Sequence, residues 1–374
     1  MIKKLLKIFL LVLPAVIAML LYLILPYFPL VTDRVFSRGI FYLLSVPLGF
    51  ISSLFPFSII EILLLLLVPM LILSVVITVK KARRFLILGF ENRRQIWFAY
   101  IRKICLFMSC ILLMYMLLHG VNYYRPTISE IIGMKTGELT ADELRDIVYD
   151  LAQKASAERE GLSENETGEM QLSKSLLKTL SQAGEGYRVL DDIYPPLWGV
   201  VNRAKPVMLS HYMSYSHIIG IYSPFTVETN VDVDINHCDI PATAAHEVAH
   251  SRGFAREDEC NFLAWLSCIN HPSADYRYSG YILAFIYCSG DLYDYDRDMY
   301  TEAIKPLSEA VRRDLKARSE YWKQFDTPTG QKVQKVADRA NDKFIESQGV
   351  KEGSLSYGMM VSLVADYYRN NTEK

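Results

Sequence analysis

The stretch Ala245-His246-Glu247-Val248-Ala249-His250-Ser251-Arg252-Gly253 decides how the rest of the chain is read. On a helix, residues four apart share a face, so His246 and His250 can grip one metal ion between them. Glu247 follows the first histidine and points toward a water on that metal. A zinc ion held by three protein ligands keeps an open position and brings the pKa of its bound water toward neutrality. A carboxylate beside that water can take its proton and later pass it to a leaving amine. The competing reading is a helix with two solvated histidines, and the flanking residues favour the metal site instead. Gly253 is placed to end the helix.

Two histidines are too few for a catalytic zinc site, so a third ligand is needed. Phe262, Trp265, Leu266 and Ile269 recur at helical spacing, which predicts a second helix from about Arg256. Glu257 and Glu259 lie at its start and are the acidic candidates; His211, His217, His237 and His271 are the others. No His-Glu-x-x-His-x-x-Gly-x-x-His pattern follows, which excludes a metzincin. Tyr357, Tyr222 and His237 are candidates to bind substrate or to donate a hydrogen bond to the oxyanion of a tetrahedral intermediate. Packing roles compete with that reading at each of them.

Just upstream, Ile218 to Val231 (IIGIYSPFTVETNV) is β-branched, aromatic and broken by Gly and Pro. This predicts two short strands, as a hairpin. Pro224 suits an edge strand, and an unpaired edge beside the site can hold an extended peptide by backbone hydrogen bonds. A plain structural hairpin remains the alternative.

The N-terminal third reads differently. Ile8 to Leu25 is uncharged behind a basic start, Ile62 to Val79 is a second uncharged run, and Ile104 to Val121 a third. None has the polar face of a buried soluble helix, and each is long enough for a bilayer core. Transmembrane helices are expected at about 8–29, 59–79 and 104–121. Further membrane segments and the lack of a small-residue cleavage site argue against a signal peptide. Lys80, Lys81, Arg83, Arg84, Arg93, Arg94, Arg102 and Lys103 lie between the second and third runs, so that loop and the N-terminus are expected in the cytoplasm. Everything after Arg125-Pro126 is then extracytoplasmic. Gly39 to Phe55 is apolar too, but a fourth crossing would turn the basic loop outward. It is read as an interfacial or re-entrant helix at 39–55. Glu61 is either an interfacial anchor or a buried functional carboxylate.

The expected organisation is a membrane domain over 1–125 and a metallopeptidase domain over 126–374. In the second, Thr140-Ala141-Asp142-Glu143 is a capping box opening a helix to about Arg159. A second amphipathic helix is expected at 169–183 and a last one at 358–369. The formal net charge of −1 gives no argument for nucleic acid. The six cysteines have no metal-finger or redox spacing and are expected to be free, mostly buried thiols.

The segment HEVAHSRGFAREDECNFLAW is similar to HE-x-AH-x-RGFA-x-EDEAN-F-LA of a bacterial membrane family, domain-of-unknown-function family 3810. GIYSPFTVETNVD, SYGMMVSLVADYYR and the N-terminal crossings also fit that family. The motif also resembles the ImmA/IrrE zincin-like peptidases, and zincins with a glutamate ligand often read Glu-x-x-Ala-Asp or Glu-x-x-x-Asp. There the first Glu binds metal and the Asp one turn later orients a liganding histidine. Glu257-Asp258-Glu259-Cys260-Asn261 matches with Cys for Ala and Asn for Asp. On that likeness Glu257 is the ligand, Glu259 the runner-up, and Asn261 the partner that orients a histidine. The resemblance implies a mainly α fold: transmembrane helices followed by an α+β zincin-like (gluzincin) domain with a small edge-strand sheet. It further implies a zinc metallopeptidase of the bacterial plasma membrane, binding one zinc ion and acting on a peptide or protein. A zinc-binding signalling or scaffold protein without catalysis is the alternative reading.

Overall fold

The computed structural model describes residues 2–85, 90–200, 202–349 and 359–372. Tyr357 lies outside them. The chain is mainly helical, with one small sheet.

Four helical stretches are long and apolar enough to cross a bilayer: 10–27, 29–53, 59–81 and 97–118. The three expected runs are all among them. The first span helix (Ile2–Ile24) packs along the third (Phe90–Leu118), with Ala18, Leu25 and Met116 buried between them. The second (Ile59–Phe85) behaves otherwise: Leu63 to Val68 are all exposed, and so are Met70 to Leu73. With apolar side chains on every face, it makes no distinction between neighbour and lipid.

The segment expected at 39–55 is longer and begins at 29. It passes through a π-helical stretch (Thr32–Ile40) before the α-helix Phe41–Ser53. It lies against the large domain from end to end. Asp33 pairs with Arg125 at 2.9 Å, the Tyr42 hydroxyl donates to the Trp198 and Arg252 carbonyls, and the Ser52 carbonyl accepts from Lys205 Nζ. Gly49 permits the close approach: a Cβ there would come within 2.5 Å of the Asn202 side chain.

The second span helix is fastened to the large domain at its first turn, and near its other end Lys81 donates to the Tyr100 hydroxyl of the third span helix. The Glu228 carboxylate accepts from the backbone N–H groups of Ile59 and Ile60, at 2.9 and 2.8 Å. An anion suits these unpaired donors at a helix start. Glu61 returns the bond, accepting from the N–H groups of Met208 and Leu209, both at 2.8 Å. Glu61 is a buried carboxylate that anchors the start of the span to the large domain.

In the large domain, the capping box at Thr140 and Glu143 forms, and its helix runs Ala141–Arg159 as expected. The helix expected at 169–183 does not form as such. Residues 169–175 are irregular, with one isolated bridge from Met170 to Glu164 and a bend at Ser173–Lys174, and two shorter helices follow, Leu176–Gln182 and Glu185–Ile193. Met170 N–H donates to the Asp314 carboxylate, a bond made outside any helix. The last helix runs Met360–Thr372.

The sheet has the order β1-β3-β2. The expected hairpin is β2 (Gly220–Ser223) and β3 (Glu228–Val231), antiparallel with Tyr222 opposite Thr229. A third strand not read from the sequence, β1 (Ala204–Pro206), runs parallel to β3. At three residues it carries no periodicity to detect. This leaves β2 at an edge. Val227 closes the hairpin at a φ of 52°, a conformation that costs a β-branched residue about 1–3 kcal/mol. It is held there by full burial and by Asn202, whose side chain donates to its carbonyl.

The core is built on the motif helix (Ile240–Ser251), the acidic helix after it (Glu257–Ile269) and the long helix Ala274–Tyr295. Phe262, Leu263, Trp265 and Leu266 are fully buried, each stabilising the fold by roughly 2–3 kcal/mol. All six cysteines are free; Cys238, Cys260, Cys268 and Cys288 are buried, while Cys105 and Cys110 lie on the exposed face of the third span helix.

Candidate functional site

The motif helix ends as its glycine predicts. Ser251 is its last residue, Gly253 adopts φ 82°, and the chain reverses within five residues into the acidic helix. Arg252 locks the reversal from inside the core. Its guanidinium donates to the Gly199 and Leu197 carbonyls and pairs with Asp191. Arg125 fixes the other side by donating to the Gly253 carbonyl.

The reversal brings Glu257 onto the two histidines. His246 Nε2 lies 3.2 Å from one Glu257 oxygen, and His250 Nε2 lies 3.7 Å from the other. The three donor atoms fall within 4.8 Å of one another. Donors about 2.1 Å from a tetrahedral ion stand roughly 3.4 Å apart, which is close to these separations.

Both imidazoles are turned the right way. His246 Nδ1 sits 2.8 Å from Asn261 Oδ1, and His250 Nδ1 sits 3.0 Å from the Phe254 carbonyl. Each acceptor calls for a proton on Nδ1, leaving the Nε2 lone pair aimed at the common point. Asn261 in turn donates to the Tyr287 hydroxyl at 3.3 Å. The residue pattern thus fits a cation, by donor type, tautomer and spacing together.

Glu259 does not join them. Its carboxylate faces the other way, accepting from the Ile128 N–H at 2.9 Å and from Arg256 at 3.0 Å. Two residues along a helix is about 200°, so Glu257 and Glu259 cannot share a face. The other histidine candidates are also elsewhere. His211 pairs with Asp234 at the surface, His217 stacks on Trp322, His271 bonds the Gln182 carbonyl, and His237 Nδ1 accepts from Leu172 N–H. His237 is also not among the residues lining the cavity beside the triad.

Glu247 is buried beside the triad, and its Oε2 has no partner among the described residues. Burial pushes its carboxyl up to about 7, against the pull of His246 and His250. Burial acts the same way on Glu257, but the two histidines outweigh it and hold that carboxyl below its ordinary value. Strand β2 crosses directly over Glu247. A Cβ on Gly220 would come within 2.1 Å of its carboxylate, so any larger residue there would push Glu247 from its present position.

Tyr222 is brought to the site. Its ring stacks on His250 with centroids 6.0 Å apart, and its buried hydroxyl has no partner among the described residues. Sequence reasoning missed His119. It follows the third span helix directly, and its ring lies 5.9 Å from His250 and 5.7 Å from Tyr222. Its only sequence signal was a lone histidine closing an apolar run. The Phe344 ring, from the helix Pro328–Ser347, stacks on it at 6.4 Å. Together these residues line a cavity of about 760 Å³ that reaches from Glu247 to Tyr115. That volume is ordinary for a small-molecule or peptide side-chain site.

No curated protein and no solved structure matches this chain. A protein-family pattern matches residues 36–365, a span holding every site residue above, and its description is "Protein of unknown function (DUF3810)". The chain therefore belongs to the DUF3810 family.

Proposed function

We propose that the protein is a membrane-anchored zinc metallopeptidase with its site outside the cytoplasm. The observation that carries this is the convergence of the His246 and His250 Nε2 atoms on Glu257, each ring oriented by an oxygen at Nδ1. His246, His250 and Glu257 would hold one zinc ion. Bound there, zinc would supply Lewis acidity to a water and to a peptide carbonyl.

The chain's own groups do the rest. Glu247 lies beside the triad with a carboxylate oxygen free, where it takes the proton of the attacking water. The water oxygen adds to the carbonyl carbon, the C–N bond breaks, and Glu247 returns the proton to the leaving amine. A carboxyl with a pKa raised toward neutrality is suited to both transfers, and a nearby dication would lower it again. Tyr222, with its unpartnered hydroxyl, is the donor best placed for the developing oxyanion. The free edge of β2 offers backbone groups to an extended peptide.

Two features support the orientation. Lys80, Lys81 and Arg83 lie about 30 Å along the helix Ile59–Phe85 from the first turn that holds the large domain, as a cytoplasmic basic end would. Both ends of 29–53 bind the large domain, through Asp33 and Ser52, which favours three crossings with this segment at the interface. Membrane anchoring itself accords with the apolar helices.

The test is metal analysis of the solubilised, purified chain together with peptide cleavage. One equivalent of zinc, lost in His246→Ala and kept in Glu247→Gln, is expected, with proteolysis lost in both. Zinc without any Glu247-dependent cleavage would leave a zinc-binding scaffold. No stoichiometric metal would defeat the reading entirely.

A further inference from the structure

The site is built against the ends of the membrane spans rather than at the far pole of the domain. The β2–β3 hairpin sits between two of those ends. On one side Glu228 of β3 holds the first turn of the second span helix. On the other, Tyr222 of β2 packs against His119, the residue after the third span helix. The cavity that contains Glu247 is lined at its other limit by Tyr115, which lies within the apolar stretch 97–118.

Distances set the scale. The His119 ring is 5.9 Å from His250, and an extended chain advances about 3.3–3.6 Å per residue. The headgroup layer on each side of a bilayer is roughly 5–7 Å thick. A polypeptide leaving the hydrocarbon next to His119 reaches the triad after only a few residues.

Among the described residues, the spans contribute to the cavity lining only through Tyr115 of the third, with His119 just beyond it; no residue of the first or second span lines it. Phe344 of the helix Pro328–Ser347 packs against both rings, so the approach from the membrane runs beside that side chain. The rim near the start of the second span is apolar, with Phe57, Ile221 and Phe225 exposed. Such side chains are at home in the interface and poorly placed for a freely soluble substrate.

We propose that the substrate is a polypeptide tethered to the bilayer and cut within a few residues of its anchor. It approaches between the outer ends of the second and third span helices and pairs with the free edge of β2. Backbone pairing requires an extended chain, which a lipid headgroup cannot supply. This rests on the peptidase reading and narrows it to one substrate class.

The experiment uses the full zinc-loaded chain in phosphatidylglycerol–phosphatidylethanolamine vesicles. The probe is a peptide of one short sequence repeated in tandem, about thirty residues in all, with a palmitoyl anchor or without one. Cleavage positions are mapped by mass spectrometry. Cuts are expected to fall within about six residues of the anchor, at least tenfold faster than in the free peptide. Cuts spread evenly along the repeats would overturn the inference while keeping the peptidase. In parallel, a Glu247→Gln chain carrying a photo-crosslinking phenylalanine at Ile221 reports binding without turnover. Capture of the anchor-proximal repeat with no hydrolysis by the parent chain would keep the substrate class and refute the peptidase. Neither capture nor cleavage refutes both.

Discussion

The motif helix Ile240–Ser251 and the second span helix Ile59–Phe85 are both rich in small or apolar residues, yet they solve opposite problems. The motif helix is buried by protein along nearly its whole length. Its two histidines lie in its second half, and each has a designated partner: Asn261 for His246, the Phe254 carbonyl for His250. The span helix exposes nearly all of its middle, and its one acidic residue lies in the first turn. Its polar contacts to the domain are gathered at that end, on Glu61 and Glu228. Where protein is the surrounding medium, position is fixed by a polar network; where apolar side chains face outward, the polar contacts gather at the helix ends, at Glu61 and Glu228 toward the domain and at Lys81 toward Tyr100.

The comparison can be broken at its strongest point first. Glu247→Gln keeps the shape of the motif helix but removes its base. Peptide cleavage should fall about 10²- to 10⁴-fold with zinc content unchanged. A rate within threefold of the parent removes Glu247 from the chemistry. Next is the clamp. Glu228 serves two span N–H groups and Lys205, which is itself fully buried and pairs with it. Removing one partner of a buried pair strands the other charge, so Glu228→Ala should cost roughly 3–5 kcal/mol by denaturant unfolding in detergent. A cost below about 1 kcal/mol would show that the span is seated by something else.

Asn261→Ala is a smaller probe of the network. Freed of its acceptor, His246 can rotate, and zinc affinity should fall about 10- to 100-fold in a chelator competition. Unchanged affinity would make Asn261 a bystander. Least of all should follow from Glu259→Gln. Zinc stoichiometry should hold, with a stability loss of only about 1–2 kcal/mol from the weakened bonds to Ile128 N–H and Arg256. Metal loss in this variant, with retention in Glu257→Ala, would reverse the ligand assignment.

Local signals were legible wherever one residue type has one physical use. Gly253 ended its helix, the Thr140 box started one, and the three uncharged runs became apolar helices. The hairpin was readable from β-branching and its Pro, whereas three-residue β1 was not. Only the second part of the 169–183 expectation formed a helix, Leu176–Gln182; in the first part Met170 N–H binds Asp314, far along the chain, instead of a helical carbonyl.

The site divides the same way. By itself the sequence placed His246, Glu247 and His250 on one helical turn, since that depends only on the 3.6-residue repeat. It left the third donor open between Glu257, Glu259 and four histidines, and only the family likeness preferred Glu257. Tertiary structure chose Glu257 through the angle of the Gly253 reversal, turned Glu259 to Ile128, and sent His237 away to Leu172. It alone delivered His119 from the membrane half, 131 positions before His250 in the chain. Periodicity reaches only a few residues along the backbone, whereas the meeting of remote segments is set by how whole elements pack.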